Sequence, residues 1–229
     1  MTHHLSGGMS QVVERQMRNW ELAKNQRLQT PSRRNEVEDF ICVSRMVGAG
    51  GSDVAAMLGQ RLGWPVFDRQ ILDVMAGDDQ LRRQIYVSMD ERDLTWFEDA
   101  MRTFTDTSFI KNDYFHQLTR TVLSLARQGR AVFLGRGANL ILPRALGLRV
   151  RLVASVETRA KNFAERHALS LKRASAEVEK LEKERVKFVR HHFDADTNDS
   201  TRYDLTINVD HFPPARAVDL ILGARQSES

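Results

Sequence analysis

The sequence predicts an α/β fold: a parallel sheet covered by helices on both faces. Three observations lead there. Short apolar runs such as FICVS (40–44), AVFLGRG (131–137) and RVRLVAS (149–155) recur along the chain, stretches with helical spacing separate them, and the first run stops at glycines that open straight onto a helix. A run such as FICVS, apolar and rich in β-formers up to its glycines, suits a buried strand, and strands alternating with helices suit a parallel sheet covered on both faces. The 229 residues suffice for one principal domain with an excursion or two, and no repeat period interrupts it.

In chain order, QVVERQMRNWELAKNQRLQ (11–29) sets Val12, Val13, Met17, Trp20 and Leu22 at helical spacings ahead of Pro31. Residues 1–36 therefore read as a helical extension, packed on the core or on a second subunit. FICVS is the first strand. SDVAAMLGQRLG follows as a helix, with Ser52 as its expected N-cap, Val54, Met57, Leu58 and Leu62 on its apolar face and Gly63 as its stop. PVFD is a short strand ending at Asp68, and RQILDVMA is the next helix. Residues 78–128 are mostly helical in pattern and form an excursion between core strands, in which DERDLTWFEDAM and YFHQLTRTVLSLARQG stand out. AVFLGRG and RVRLVAS are strands. A helix from Glu157 leads into the long charged helix RASAEVEKLEKERVKFVRHHF, and the polar turn DADTNDSTR precedes strand YDLTINV and helix PARAVDLILGA. In such a sheet ligands sit beyond the carboxyl ends of the strands, where Ser44, Asp68 and Gly135 to Gly137 fall.

Composition narrows the function. The net charge of +4 and the pI near 9.4 are mildly basic, but lysines and arginines alternate with acids, as in EVEKLEKERVK, so there is no continuous stripe for a nucleic-acid backbone. A small phosphorylated ligand suits that balance. Cys42, the single cysteine, lies inside an apolar run and reads as a buried thiol. MTHHLSGGMS has no apolar signal-peptide core, and nowhere do about 18 apolar residues run together, so the expectation is a cytoplasmic protein without a membrane partner.

The stretch SRMVGAGGSD (44–53) carries the first chemical signal. Phosphate loops read G-x-x-x-x-G-K-[ST]: backbone N–H groups cradle phosphate, the lysine neutralises it and the hydroxyl holds magnesium. With Gly50 and Ser52 in the late positions, Arg45 stands at the first glycine and Gly51 at the lysine. The cradle survives, because Gly48, Gly50 and Gly51 admit a close backbone and the helix start favours an anion. Arg45 is the neighbour able to replace part of the missing charge. The bland alternative is a tight strand-to-helix turn that needs glycine for its own sake. A dinucleotide fingerprint, with Gly48 and Gly50 as its first glycines and Asp68 as the ribose acid, ranks well below the phosphate-loop reading, since Asp53 stands where a third glycine belongs and would oppose a pyrophosphate.

Other residues are weighed the same way. Asp68 can orient an acceptor or bind magnesium through water, or it can cap the helix RQIL. Arg69 can hold an acceptor phosphate or face solvent. Arg136 has glycines on both sides that let its guanidinium bend into a cleft, and it is the better phosphate ligand. Arg159 opens an earlier helix, and Arg185 and Arg190 lie on the long charged one, where the competing reading is a solvated face with i,i+4 pairs. HHFDAD (191–196) is a poor metal site because adjacent histidines diverge on a helix. Trp64, Trp96 and Phe97 read as core, Asp90 and Glu91 as a helix start, and no Ser-His-Asp order or nucleophile elbow is legible.

SRMVGAGGSDVAAMLGQRLGWPVFDRQIL, with YF, GRGA, ER and YDLTIN downstream, resembles the cytidylate kinase-like family, and GRGANLILPRALGLRVRLVASVETRAKN resembles the matching stretch of bacterial cytidylate kinases. The resemblance spans roughly residues 39–222 and rests on the order and spacing of several motifs. It implies a three-layer P-loop nucleoside monophosphate kinase fold over 37–229, in which 78–128 binds the acceptor and 166–200 is a lid-like segment. It further implies transfer of phosphate from ATP, with Mg2+, to a nucleoside monophosphate such as CMP. Arg45, Gly48, Ala49, Gly50, Gly51, Ser52 and Asp53 would hold the donor phosphates, with Ser52 on the metal. Arg69 and Arg136 would hold the acceptor. Asp68, Arg185 and Arg190 would carry catalysis, the two arginines closing with the lid. Relative to true cytidylate kinases, Gly51 replaces the loop lysine and Gly137 the aspartate after Arg136. Two other classes of answer stay open: a nucleotide or anion sensor that does not turn over, and a structural protein that forms a homodimer through the N-terminal helix.

Overall fold

The computed structural model describes residues 11–18, 21–22, 39–79, 113–128, 130–144 and 146–226. Residues 11–18 are helical (α1). Five strands follow: β1 Phe40–Arg45, β2 Val66–Phe67, β3 Ala131–Leu134, β4 Leu148–Val153 and β5 Leu205–Asn208. The helices are α2 Gly51–Leu62, α3 Arg69–Gly77, α4 Asp113–Gln128, α5 Ala138–Ile141, α6 Val156–His167, α7 Leu171–Phe193 and α8 Pro214–Gln226, with a 3-10 turn at Ser200–Arg202.

All pairings are parallel, in the spatial order β2-β3-β1-β4-β5. The central strand shows why its run is apolar throughout. Phe40 and Cys42 enter one layer with α1, α3 and α4, while Ile41 and Val43 enter the other with α2 and α8. The predicted three-layer α/β architecture is thus present. Cys42 is buried, and burial pushes its thiol up to about 12, which leaves it unreactive at neutral pH.

Of the two readings of the N-terminal segment, α1 follows the first. Val13 and Met17 are buried in the core, and Gln16 Oε1 accepts from the Val66 backbone N–H at 2.9 Å. Since β2 is the edge strand, that amide bond covers a ladder donor that would otherwise be open to another chain. Leu22 is exposed, and Trp20, Asp90, Glu91, Trp96 and Phe97 lie outside the described residues. Helix α4, the last part of the 78–128 segment, is a core element with Leu118, Val122, Leu123 and Ala126 buried. Trp64 is core, as its apolar setting predicts.

One boundary needs correcting. Ser52 is not the N-cap of α2; Gly50 is, in the left-handed conformation at φ 69°, and its carbonyl accepts from both Asp53 and Val54 N–H. A loop turning that sharply leaves the cap position to the residue without a Cβ, and the hydroxyl falls within the first turn.

Candidate functional site

The loop between β1 and α2 is pinned from three sides. Met46 N–H donates to the Leu152 carbonyl at 3.0 Å, Asn162 Nδ2 to the Gly48 carbonyl at 2.9 Å, and Val47 N–H to Glu182 Oε2 at 2.6 Å. Gly48, at φ 82°, lies so close to helix α6 that a Cβ would overlap the Arg159 carbonyl oxygen. The close approach at Gly48 is thus to the backbone of α6. The opening amides of α2 have no partner within the helix, as at any helix start, and point their donors outward.

Around this loop the fold gathers arginines. Arg45 leaves the end of β1 and runs its stem across Gly51, with its guanidinium over Gly135. Burial, then neighbouring Arg185, pushes it down to about 9, so its cationic form lacks full compensation. Arg185 Nη1 donates to the Arg45 carbonyl at 2.8 Å and lies 3.9 Å from Glu182, whose other neighbour is Arg159 at 3.8 Å. Burial pulls Arg185 down as well, against Glu182 and with Arg151, Arg69 and Arg136. Arg151 is buried, donates to Ser44 Oγ at 3.1 Å and lies over the Tyr203 ring. Arg159 is 8% exposed, and its Nε has no hydrogen-bond partner among the described residues. It lines a cavity of about 580 Å³ between α6 and α7, together with Val156, Ser175, Val178, Glu182 and Arg190.

Beyond β3, Gly135, Arg136 and Gly137 have φ of 80°, 52° and 70°. Three successive left-handed residues, one carrying a side chain, hold the chain in a costly turn that aims Arg136 inward. A Cβ on Gly137 would overlap the Phe193 ring. Arg136 grips Asp73 with Nε at 2.7 Å and with Nη2, lies 4.8 Å from the Phe188 ring centre, and shares Asp73 with the Tyr114 hydroxyl at 2.5 Å. Arg69 reaches the same carboxylate at 3.7 Å from a largely exposed position.

The site therefore brings together Arg45, the 48–52 loop, Asp68, Arg69, Arg136 and Arg185. Asp68 caps α3, accepting from Ile71 N–H at 2.9 Å, and it also faces Arg45. Ala49 is buried beneath the loop. Asp53 turns away and pairs with Arg166 at 2.5 Å. Arg190 is exposed on the cavity side of α7, because residues five apart are about 140° apart around a helix. Sequence reasoning missed Glu182, Asp73, Tyr114, Asn162 and Arg151. Only Arg151 left a trace: with Arg149 it places two arginines, at the period of a strand, on one face of an apolar run.

Two outcomes are expected from these contacts. Glu182→Gln keeps an acceptor for Val47 N–H but removes the charge between Arg159 and Arg185. Its tripolyphosphate affinity by calorimetry is expected to rise about fivefold, roughly 1 kcal/mol; an unchanged affinity would show that the carboxylate does not compete with bound anion. His192 stacks on Phe115 at 4.9 Å, and burial, then His191 and Arg136, hold it below its ordinary value of 6.5. As pH falls through that value the unfolded chain takes up the proton first, so stability is lost on the acid side. The melting temperature of His192→Phe is expected to fall less than that of the wild type between roughly pH 7.5 and 5.5, and parallel curves would refute it.

A five-stranded parallel sheet with a glycine loop after its central strand, and arginines gathered beyond the strand ends, defines an α/β fold of the P-loop kinase class. Comparison with known proteins agrees. The profile of the cytidylate kinase-like family matches residues 40–211, and the chain belongs to that family. A cytidylate kinase of Halorubrum lacusprofundi is 30% identical over 185 residues, covering 80% of this chain and 87% of the relative. The crystal structure of an uncharacterized protein from Eubacterium ventriosum superposes with a TM-score of 0.65 at 21% identity, over 83% of this chain and 99% of that one. A gluconokinase from Sinorhizobium meliloti aligns with a TM-score of 0.48 at 16% identity, over 83% of this chain and 94% of that one. No helix among the described residues is long and apolar enough to cross a membrane.

Proposed function

We propose that the protein transfers the terminal phosphate of ATP to a nucleoside monophosphate, CMP or a close analogue. The observation that carries this reading is the excess of guanidinium groups at the strand ends. Arg185 lies within electrostatic reach of Arg45, Arg69, Arg136 and Arg151, and Asp68, Asp73 and Glu182 are carboxylates paired with or facing members of this group. A folded protein holds like charges together at a cost, and a polyphosphate flanked by a second phosphate recovers that cost.

The left-handed turns at Gly48 and Gly50, with φ of 82° and 69°, support reading the loop as a phosphate cradle. Its backbone N–H groups and Arg45 would hold the donor phosphates, and the cavity beside Arg159 would take the rest of the donor. The exposed Ser52 hydroxyl, in the first turn of α2, would hold magnesium, and the ion would neutralise charge on the transferred group. Arg136 and Arg69, with Asp73 and Asp68, would bind and orient the acceptor beyond β3. Arg185 would stabilise the group in transfer. Phosphoryl transfer requires little more of a protein than this alignment and charge.

A second reading keeps the binding and drops the chemistry, and the missing lysine at Gly51 favours it. One experiment separates the two. Melting temperature is measured with ATP, CMP, other nucleoside monophosphates and phosphate, each with magnesium, and ADP release is then measured on each stabilising pair. A ligand at 100 times its dissociation constant stabilises by about 2.7 kcal/mol, so binding is visible. ADP release with ATP and one monophosphate supports the kinase. Stabilisation without release supports the sensor, and no shift with any nucleotide overturns both.

A further inference from the structure

Gly51 has no backbone reason to be glycine. Its φ is outside the left-handed region, unlike those of Gly48 and Gly50, and it lies in the first turn of α2, where most residues are tolerated better than glycine. What excludes a side chain there is Arg45: a Cβ on Gly51 would lie 2.6 Å from Arg45 Cγ and 3.1 Å from its Cβ and Cδ. Farther along, a Cβ on Gly135 would overlap Arg45 Nη1. Two glycines, one in the loop and one at the end of the neighbouring strand β3, thus form the corridor through which Arg45 crosses the top of the sheet.

We infer that Arg45, brought from the end of β1 across Gly51 and Gly135, is the cation the loop lacks at position 51, so that a side chain at 51 and a working Arg45 exclude one another. The inference rests on the proposed reading that the loop holds donor phosphates. The guanidinium arrives within electrostatic reach of Arg185, Arg69, Asp68 and Glu182, with burial and Arg185 opposing its charge, which is the setting of a group that gains from a bound anion. A lysine starting at 51 would pass through the space the Arg45 stem fills. The arrangement therefore relocates the loop's charge from the helix to the strand, and Gly51 is what makes room for it.

The test uses tripolyphosphate and Mg-ATP as probes in titration calorimetry at low salt, with the melting temperature of each probe-free variant as a fold control. Arg45→Ala is expected to weaken tripolyphosphate binding about tenfold or more. Gly51→Ala, a change that favours the helix, is expected to weaken it to a similar degree with no fall in melting temperature. The double variant Arg45→Ala/Gly51→Lys, in which the emptied corridor receives a lysine, is expected to return to within about threefold of wild type. Wild-type affinity in Arg45→Ala or in Gly51→Ala overturns the inference while leaving the kinase reading intact, and a double variant no better than Arg45→Ala overturns the exchange. Should Gly51→Ala melt early, Gly51→Ser with Arg45→Ala decides: a second loss on top of the first would mean that position 51 acts independently of Arg45. Failure of the wild type to bind either probe sinks the donor-site reading along with the inference.

Discussion

Arg185→Ala is expected to slow phosphoryl transfer at saturating Mg-ATP by about 10³-fold, roughly 4 kcal/mol of transition-state stabilisation. The variant's melting temperature in nucleotide-free buffer should be unchanged or raised. The two halves of that result come from one geometry. Without nucleotide, Arg185 is held by the Arg45 carbonyl and by a 3.9 Å approach to Glu182, and it is repelled by Arg151, Arg69 and Arg136, so removing it relieves repulsion. With a phosphoryl group in flight, it would be a positive charge that α7 holds beside the loop. Arg185→Lys retains charge without the planar fork and is expected to recover only part of the rate. Steady-state kinetics on folded variants decides the matter. A turnover within threefold of wild type in Arg185→Ala would remove Arg185 from the chemistry.

Local signals in the sequence reported the fold well and the site unevenly, for physical reasons. Strands buried on both faces declare themselves through unbroken apolar runs, so FICVS and AVFL gave the sheet, and the glycines after them mark the left-handed turns at Gly48, Gly50, Gly135 and Gly137. Asp68 was legible as a helix cap from its position one residue before the helix. Glu182 was not, because on a helix reading EVEKLEKERVK it is one acid among several, and only the fold singles it out by laying it on the amide of Val47, 135 residues away in the chain. Asp73 and Tyr114 were hidden similarly: each belongs to an ordinary amphipathic helix until Arg136 is turned toward them. The glycine at 51 was read from its motif position as a loss, whereas in space it is the contact surface of Arg45.

The other large expected effect is on stability and falls on Arg149, a residue whose guanidinium never meets the cleft. Arg149→Met is expected to abolish folding or to cost more than about 5 kcal/mol, since a buried polar group left without its partner costs about 1–3 kcal/mol and this change leaves several. Arg149 is fully buried, and its guanidinium donates to the carbonyls of Asn139, Leu142, Pro143, Leu146 and Gly147. Helix α5 is a single four-residue turn, and its carbonyls end where the chain must loop back into β4. A cation there meets the negative end of the turn and satisfies carbonyls on either side of it, of which that of Pro143 also accepts from Leu146 N–H at 3.2 Å. Asp204, which accepts from the Arg149 backbone N–H at 2.7 Å, supplies the counter-charge. Arg149→Lys would keep the charge with fewer donors and is expected to lose about half as much. Because α5 follows directly from Gly137, loosening it also frees the turn that aims Arg136, so the lysine variant is expected to lose acceptor affinity as well as stability. Urea denaturation of both variants tests the stability and CMP titration of the lysine variant tests the coupling; a methionine variant as stable as wild type would mean that water replaces the guanidinium at all five carbonyls.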